Sequence, residues 1–261
     1  MSREGGAGTS SPSRRGFYRM NTVRISALVA AIAFLVGLAF ATFSEFKLFL
    51  PALLKGLAVT LEVSALSFLL FLLFSVLAAL GRTSANMAVR FAAGTYVEIF
   101  RGTSLLAQLF WLFFVLPEFG VVLAPMTAAV LGMGLNFGAY GAEVVRGAIG
   151  AVPRGQSEAC IALNMPEWKR LFRIILPQAF AIMVPGMTNL TIELVKATAM
   201  VSAVTLVDMT SAAVKQNLIH YRTIEIFLIT MLLYYCLCQV IRYGSKLLEV
   251  RVSRYRGALG R

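Results

Sequence analysis

The chain is predicted to be all-α, a polytopic transmembrane helical bundle, on three observations. It is 59% hydrophobic and 14% charged over 261 residues, whereas a soluble domain runs near one-half apolar and about one-quarter charged. Its apolar residues form runs close to the roughly 20 residues that cross a bilayer core. Its Lys and Arg collect at the ends of those runs, as membrane topology requires. The net charge of +12 therefore reads as topology; a nucleic-acid binder would cluster such charge on a folded polar domain, and no nucleic-acid partner is expected.

In chain order, residues 1–24 are Gly/Ser-rich and basic and cannot bury a core, so they are read as a disordered tail. Residues 25–44 are read as a retained first span, because the run is too long for a signal-peptide core and lacks a small-x-small cleavage site. Five further spans follow at about 55–80, 88–116, 121–149, 170–196 and 223–246. The stretch 197–222 is apolar but short, which predicts a re-entrant or interfacial helix. Residues 251–261 form a basic tail.

Orientation follows from the cations. With a cytoplasmic N-terminus, 18 Lys and Arg fall on the inner side, 5 on the outer side, and Arg101 alone within a span. The asymmetry predicts both termini, and the polar segment 153–177, in the cytoplasm. Cys160, Cys236 and Cys238 have no framework spacing. His220 has no Cys/His cluster around it, so no metal is expected. Neither a phosphate-binding loop nor a nucleophile turn is present.

Segment 153–177, PRGQSEACIALNMPEWKRLFRIILP, is a charged, proline-punctuated hairpin between two spans. Pro153 ends the incoming helix. Ser157 is placed to cap a new one, with Glu158 in its first turn favoured by the helix dipole. Ala159, Cys160, Ala162 and Leu163 give that helix small side chains that admit a close-packed surface. Asn164 suits the left-handed position that closes a helix, and Pro166 suits the first position of the next. A helix of about two turns, a sharp reversal and a helix re-entering the membrane at Ile174–Pro177 are predicted.

This pattern resembles the EAA loop of ABC importer permeases: Glu158-Ala159-Cys160, three residues, Asn164, nine residues, then Ile174-Ile175-Leu176-Pro177. Cys160 stands where that family usually has Ala, and Asn164 where it usually has Gly. Residues 55–67 (KGLAVTLEVSALS), 96–110 (YVEIFRGTSLLAQLF), 136–158 (NFGAYGAEVVRGAIGAVPRGQSE) and 185–196 (PGMTNLTIELVK) are similar to the polar amino-acid class of these permeases. The likeness runs from roughly 55 to 250 and leaves out the tail and the first span.

The resemblance implies a five-span type I ABC importer permease core at 55–250 plus one extra N-terminal span. Gly155, Ser157, Glu158, Ala159, Cys160, Leu163, Asn164 and Pro166 would then form a coupling element seated in a groove of a separate ATPase. The implied partners are two ATPase subunits, a second permease subunit (itself or a sister) and an extracytoplasmic solute-binding protein. No cofactor is implied on this chain; ATP and Mg belong to the partner ATPase. The chain would be no enzyme but a translocation subunit in the cytoplasmic (inner) membrane.

Ionisable groups at bilayer depth tend to face a cavity or a partner. Glu62, Glu98, Arg101, Glu193 and Lys196 qualify, with Asn189 one turn before Glu193. Glu98 and Arg101 are three apart and can pair on one helical face. The substrate pathway is assigned first to Glu193 and Lys196. Gly134 and Gly138 form a GxxxG that favours close helix packing, and Trp168 reads as an interfacial anchor.

The expected substrate is a small polar amino acid or amino-acid-like compatible solute. Stretches FFVLPEFGVVL, LNFGAYGAEVVRGAI and EACIALNMP resemble ectoine and hydroxyectoine permeases; glutamate, arginine, histidine and cystine systems are the alternatives. The rival from another class is a stand-alone carrier driven by an ion gradient, against which stands the lack of an inverted repeat. A membrane-embedded enzyme lacks a convergent His/Asp/Cys set.

Overall fold

The computed structural model describes residues 46–259, which are helical and contain no strand. The basic tail 1–24 and the expected span 25–44 lie outside the described residues. The elements are α1 (Phe46–Arg82), α2 (Met87–Gly102), α3 (Leu105–Phe110), α4 (Pro125–Gly150), α5 (Arg154–Ala162), α6 (Glu167–Arg170), α7 (Leu176–Ala197), α8 (Met209–His220) and α9 (Thr223–Leu259). A π turn, Trp111–Val115, and a 3-10 turn, Leu116–Phe119, prolong α3. Another π turn, Leu171–Ile175, joins α6 to α7, and a 3-10 stretch, Thr198–Val204, prolongs α7.

Four helical runs are long and apolar enough to cross a membrane: Leu48–Arg82, Pro125–Gly150, Glu167–Val204 and Thr223–Glu249. Counted as one span, α2 and the run Leu105–Phe119, bent by 105° relative to each other, make a fifth. The unbroken span expected at 88–116 is therefore corrected. Gly102, Thr103 and Ser104 are weak helix formers, and Thr103 and Ser104 adopt extended backbone that ends one helix and starts the next.

α4 is the centre of the bundle and packs against α2, α3 and α7, with α9 packed on α7. Close approach explains its small residues. A Cβ on Gly134 would come within 2.6 Å of Leu70 Cβ, and one on Gly138 within 2.6 Å of Phe74 Cβ, so the GxxxG pair is the seat of α1. Ser75 on α1 donates to Gly138 O at 3.3 Å and to its own Phe71 O at 2.6 Å. Phe71, Leu109, Met133 and Leu194 fill the core around this contact, all fully buried.

α8 has 12 residues, about 18 Å of helix at about 1.5 Å per residue, too short to cross, as expected for 197–222. The basic stretch that begins at 251 continues α9 as helix to Leu259.

Candidate functional site

The hairpin forms as a helix, a reversal and a second helix, but its first helix begins earlier than expected. α5 starts at Arg154 with Pro153 as its N-cap residue. Ser157 thus lies inside the helix and does not cap it, and Glu158 is beyond the first turn; Pro153, with φ −55° and ψ 131°, already supplies the non-helical entry. The reversal is as predicted. Asn164 has φ 49°, its N–H donates to Ile161 O at 2.9 Å, and the Met165 N–H donates to Cys160 O at 2.9 Å. These two bonds close the last turn of α5 in a Schellman arrangement. Pro166 is the N-cap residue of α6, one position before its predicted place.

Of the proposed coupling residues, Gly155, Glu158, Ala159, Leu163, Asn164 and Pro166 are exposed, Ser157 is half-buried and Cys160 is buried. Cys160 anchors α5 to the chain while Ile161, at 60% exposure, Leu163, at 75%, and Trp168, at 63%, stand outward. Arg154, Lys169 and Arg173 are exposed as well, with Lys169 Nζ 5.4 Å from the centroid of the Trp168 ring.

Beyond the hairpin, Glu167–Val204 is a helical run of 38 residues, about 57 Å at about 1.5 Å per residue. Pro185, Asn189, Glu193, Lys196 and Met200 recur at helical spacing along it, and every one is exposed. Asn189, Glu193 and Lys196 thus share a stripe facing away from the packed side of α7, where Val184, Ile192 and Val195 are buried.

The other intramembrane charges do not join that stripe through any contact among the described residues. Glu62 is exposed on α1 beside exposed Leu61 and Leu66. Glu98 and Arg101 are both exposed on α2, and the expected pair between them is not formed. Arg101 instead sets its guanidinium 5.4 Å from the centroid of the Tyr140 ring. The face of an aromatic ring attracts a cation, and the Tyr140 hydroxyl donates to Arg101 O at 3.4 Å.

Three groups missed in the sequence organise this region. Breaking a helix inside a membrane leaves carbonyls that need partners. Asn136 of α4 donates to Phe100 O at 2.9 Å, and Gln108 of α3 donates to the same oxygen at 3.0 Å. Gln108 also donates to Thr103 Oγ1 at 2.6 Å and accepts from Asn136 at 3.2 Å. The third is Glu143, which binds Arg82 at the end of α1 and Arg146, 2.7 Å away, on its own helix. Only one signal pointed to these groups: buried polar residues inside apolar runs must find partners.

A broken span, a compact glycine-packed α4 and an apolar-tipped reversal before a long exposed rod accord with a comparison of families. Residues 71–254 match the model for the inner-membrane component of binding-protein-dependent transport systems. The chain belongs to this family. The permease is 40% identical over 215 residues to a probable amino-acid ABC transporter permease protein of Sinorhizobium fredii, covering 80% of this chain and 90% of that one. It is 35% identical over 210 residues to the L-cystine transport system permease protein of Bacillus subtilis, covering 79% and 89%.

Among solved structures, an amino acid ABC transporter crystallised with histidines superimposes with a TM-score of 0.76 at 31% identity, covering 80% of the permease and 98% of that chain. An inward-facing methionine ABC transporter shares the fold at 22% identity and a TM-score of 0.63, covering 80% and 98%. The permease is thus a multi-pass inner-membrane subunit of a polar amino-acid ABC importer. Its family implies an ATPase, a substrate-binding protein and a second permease as partners, and lends the gradient-driven carrier no support.

Proposed function

We propose that the permease takes up a small polar amino acid or amino-acid-like compatible solute, and that the α5–α6 hairpin is its mechanical link to the ATPase. The observation that carries this reading is the Schellman reversal at Asn164, which leaves Ile161 and Leu163 exposed before it and Trp168 exposed after it. Buried Cys160 holds the helix to the chain on its other side, so a push on the tip passes into the rod Glu167–Val204. Two ATPase subunits, one per permease, would grip two such tips.

Ala159 is exposed on the tip helix, and Ala159→Trp overfills a groove shaped for small residues. A steric conflict of about 1–3 kcal/mol is typical even where surroundings adapt. The expected result is loss of ATPase co-purification and of ATP hydrolysis stimulated by the binding protein in vesicles. Retention of both would remove the hairpin from the coupling path.

The pathway is assigned to Asn189, Glu193 and Lys196, supported by their shared exposed stripe on a run apolar enough to span; charges there call for a water-filled cavity or a partner. Glu62, Glu98 and Arg101 are secondary members of the pathway. A second permease, identical or a sister, would close the other side. Among substrates, ectoine or hydroxyectoine is favoured on the stretches quoted above, and the affinity of the cognate binding protein for each decides it.

The apolar run at 25–44 and the charge asymmetry of the sequence support six spans with both termini in the cytoplasm. Cysteines introduced at Ser10 and Pro117 test this in intact cells. Labelling from outside is expected at Pro117 and not at Ser10; the reverse inverts the topology.

A further inference from the structure

The outer end of the rod is tied down in a way that the transport reading does not use. Past Ala197 the chain runs as a 3-10 helix for seven residues, Thr198–Val204, long for a form that seldom exceeds three or four. Its period is visible in burial: Thr198, Val201 and Val204, three apart, are all fully buried. It ends at Thr205 with φ 65°, a strained conformation for a β-branched residue.

Immediately beyond lies a buried polar knot. Asp208, 1% exposed, caps α8 by accepting from the Thr210 N–H at 3.1 Å and the Ser211 N–H at 2.9 Å. Tyr234 of α9 donates to Asp208 Oδ2 at 3.4 Å and lies 3.0 Å from Thr210 Oγ1. Thr60 of α1, fully buried, accepts from the Met209 N–H at 3.1 Å. A Cβ on Gly56 would come within 2.8 Å of both Asp208 O and Met209 Cα, so α1 and the start of α8 are in backbone contact.

We propose that Tyr234, Asp208 and Thr60 are positioning residues for transport: they anchor α8 to α1 and α9, so that motion of the rod is absorbed within Thr198–Val204. A 3-10 helix rises about 2.0 Å per residue and an α-helix about 1.5 Å. Conversion of these seven residues to α-helix therefore draws the rod about 3–4 Å towards the knot. The same conversion also turns the rod about its axis, by about 20° for each residue converted, so the exposed Glu193 and Lys196 are both drawn and turned along the pathway while α8 stays still. Without the knot, α8 would follow the rod and the displacement would be lost.

The inference rests on the hairpin reading, since the hairpin supplies the push. Its test uses the full permease with its ATPase in vesicles, native cysteines replaced by Ala, and spin labels on cysteines at the exposed positions Phe180, on the rod before the 3-10 stretch, and Leu218 on α8. Trapping with ATP and vanadate is expected to shorten the distance between the labels by about 3 Å, the difference in rise. Tyr234→Phe, which removes one oxygen, and Thr60→Val should largely abolish the shortening while ATP hydrolysis persists; Thr60→Ser should keep it.

An unchanged distance in the otherwise native chain overturns the inference, as does the same shortening in Tyr234→Phe and Thr60→Val. If Tyr234→Phe does not assemble, the contrast between Thr60→Val and Thr60→Ser decides. Should Ala159→Trp leave the ATP-driven shortening intact, it is the hairpin reading that fails. Loss of shortening in Ala159→Trp together with its retention in Tyr234→Phe and Thr60→Val sinks the anchor alone.

Discussion

α4 and the rod Glu167–Val204 are both apolar enough to cross a membrane, yet 72% of the most apolar stretch of α4 is buried within the chain and only 11% of that of the rod. The difference lies in side-chain size and in where polar groups point. α4 presents glycines to α1 and sends Asn136 inward to the broken helix. The rod buries one narrow face and leaves Asn189, Glu193 and Lys196 outside. Lipid is a poor host for such a stripe, so a span can be scaffold or moving part depending on whether its polar residues are answered inside the chain.

The comparison breaks most sharply on α4. A Cβ at Gly141 would come 2.5 Å from Phe71 Cε2 and 2.9 Å from Ser75 Cβ. Gly141→Leu should then destabilise by at least about 1–3 kcal/mol, the usual penalty of overpacking, seen as a lower melting temperature and poor monodisperse yield in detergent. The counterpart on the rod's exposed side, Met200→Leu, should leave both unchanged. Equal losses at the two positions would erase the distinction.

Next in size is the elbow. Asn136→Leu keeps bulk but withdraws a donor from Phe100 O and a partner from Gln108. Leaving buried polar groups unpaired costs about 1–3 kcal/mol. Thermal unfolding should register that loss, and uptake should fall with it because the bend between α2 and α3 loosens. A variant as stable as the parent would mean that Gln108 alone suffices.

At the hairpin the effect on folding should be smaller and the effect on coupling larger. Asn164→Gly removes the small penalty of a side chain at φ 49° and should be neutral or stabilising by up to about 1 kcal/mol, in line with glycine's ease in the left-handed region. Asn164→Pro cannot adopt that φ and lacks the N–H that reaches Ile161 O. Binding-protein-stimulated ATP hydrolysis in vesicles should survive the first change and vanish with the second.

The smallest change in stability is expected on the rod's stripe. Glu193→Ala and Lys196→Ala alter exposed groups and should shift stability by no more than about 0.5 kcal/mol. Uptake of the solute retained by the binding protein should nevertheless fall, with ATPase assembly intact. Unchanged uptake in both variants would reduce the stripe to a packing surface.

Much of this was legible in the residues themselves, because hydrophobic run length and backbone chemistry are local. The spans on α1, α4, α7 and α9, the short helix within 197–222, the close packing at Gly134 and Gly138 and the left-handed Asn164 all follow from run length, side-chain size or φ preference, whereas that α1 is what packs there came only from the fold. The start of α5 was misjudged, because Ser157 is a good cap residue but Pro153 supplies the helix entry four residues earlier. Other features depend on partners far apart in the chain. The broken helix after Gly102 is held by Asn136 and Gln108, and Arg101 turns to Tyr140 rather than to the nearby Glu98. Glu143 meets Arg82 across 61 positions, and the start of α8 gathers Tyr234 on Asp208 and Thr60 on the Met209 N–H. Spacing along a chain can say that a buried polar group needs a partner; only the packed helices choose which one, since desolvation makes every unanswered donor or acceptor costly and the tertiary fold decides what lies within reach.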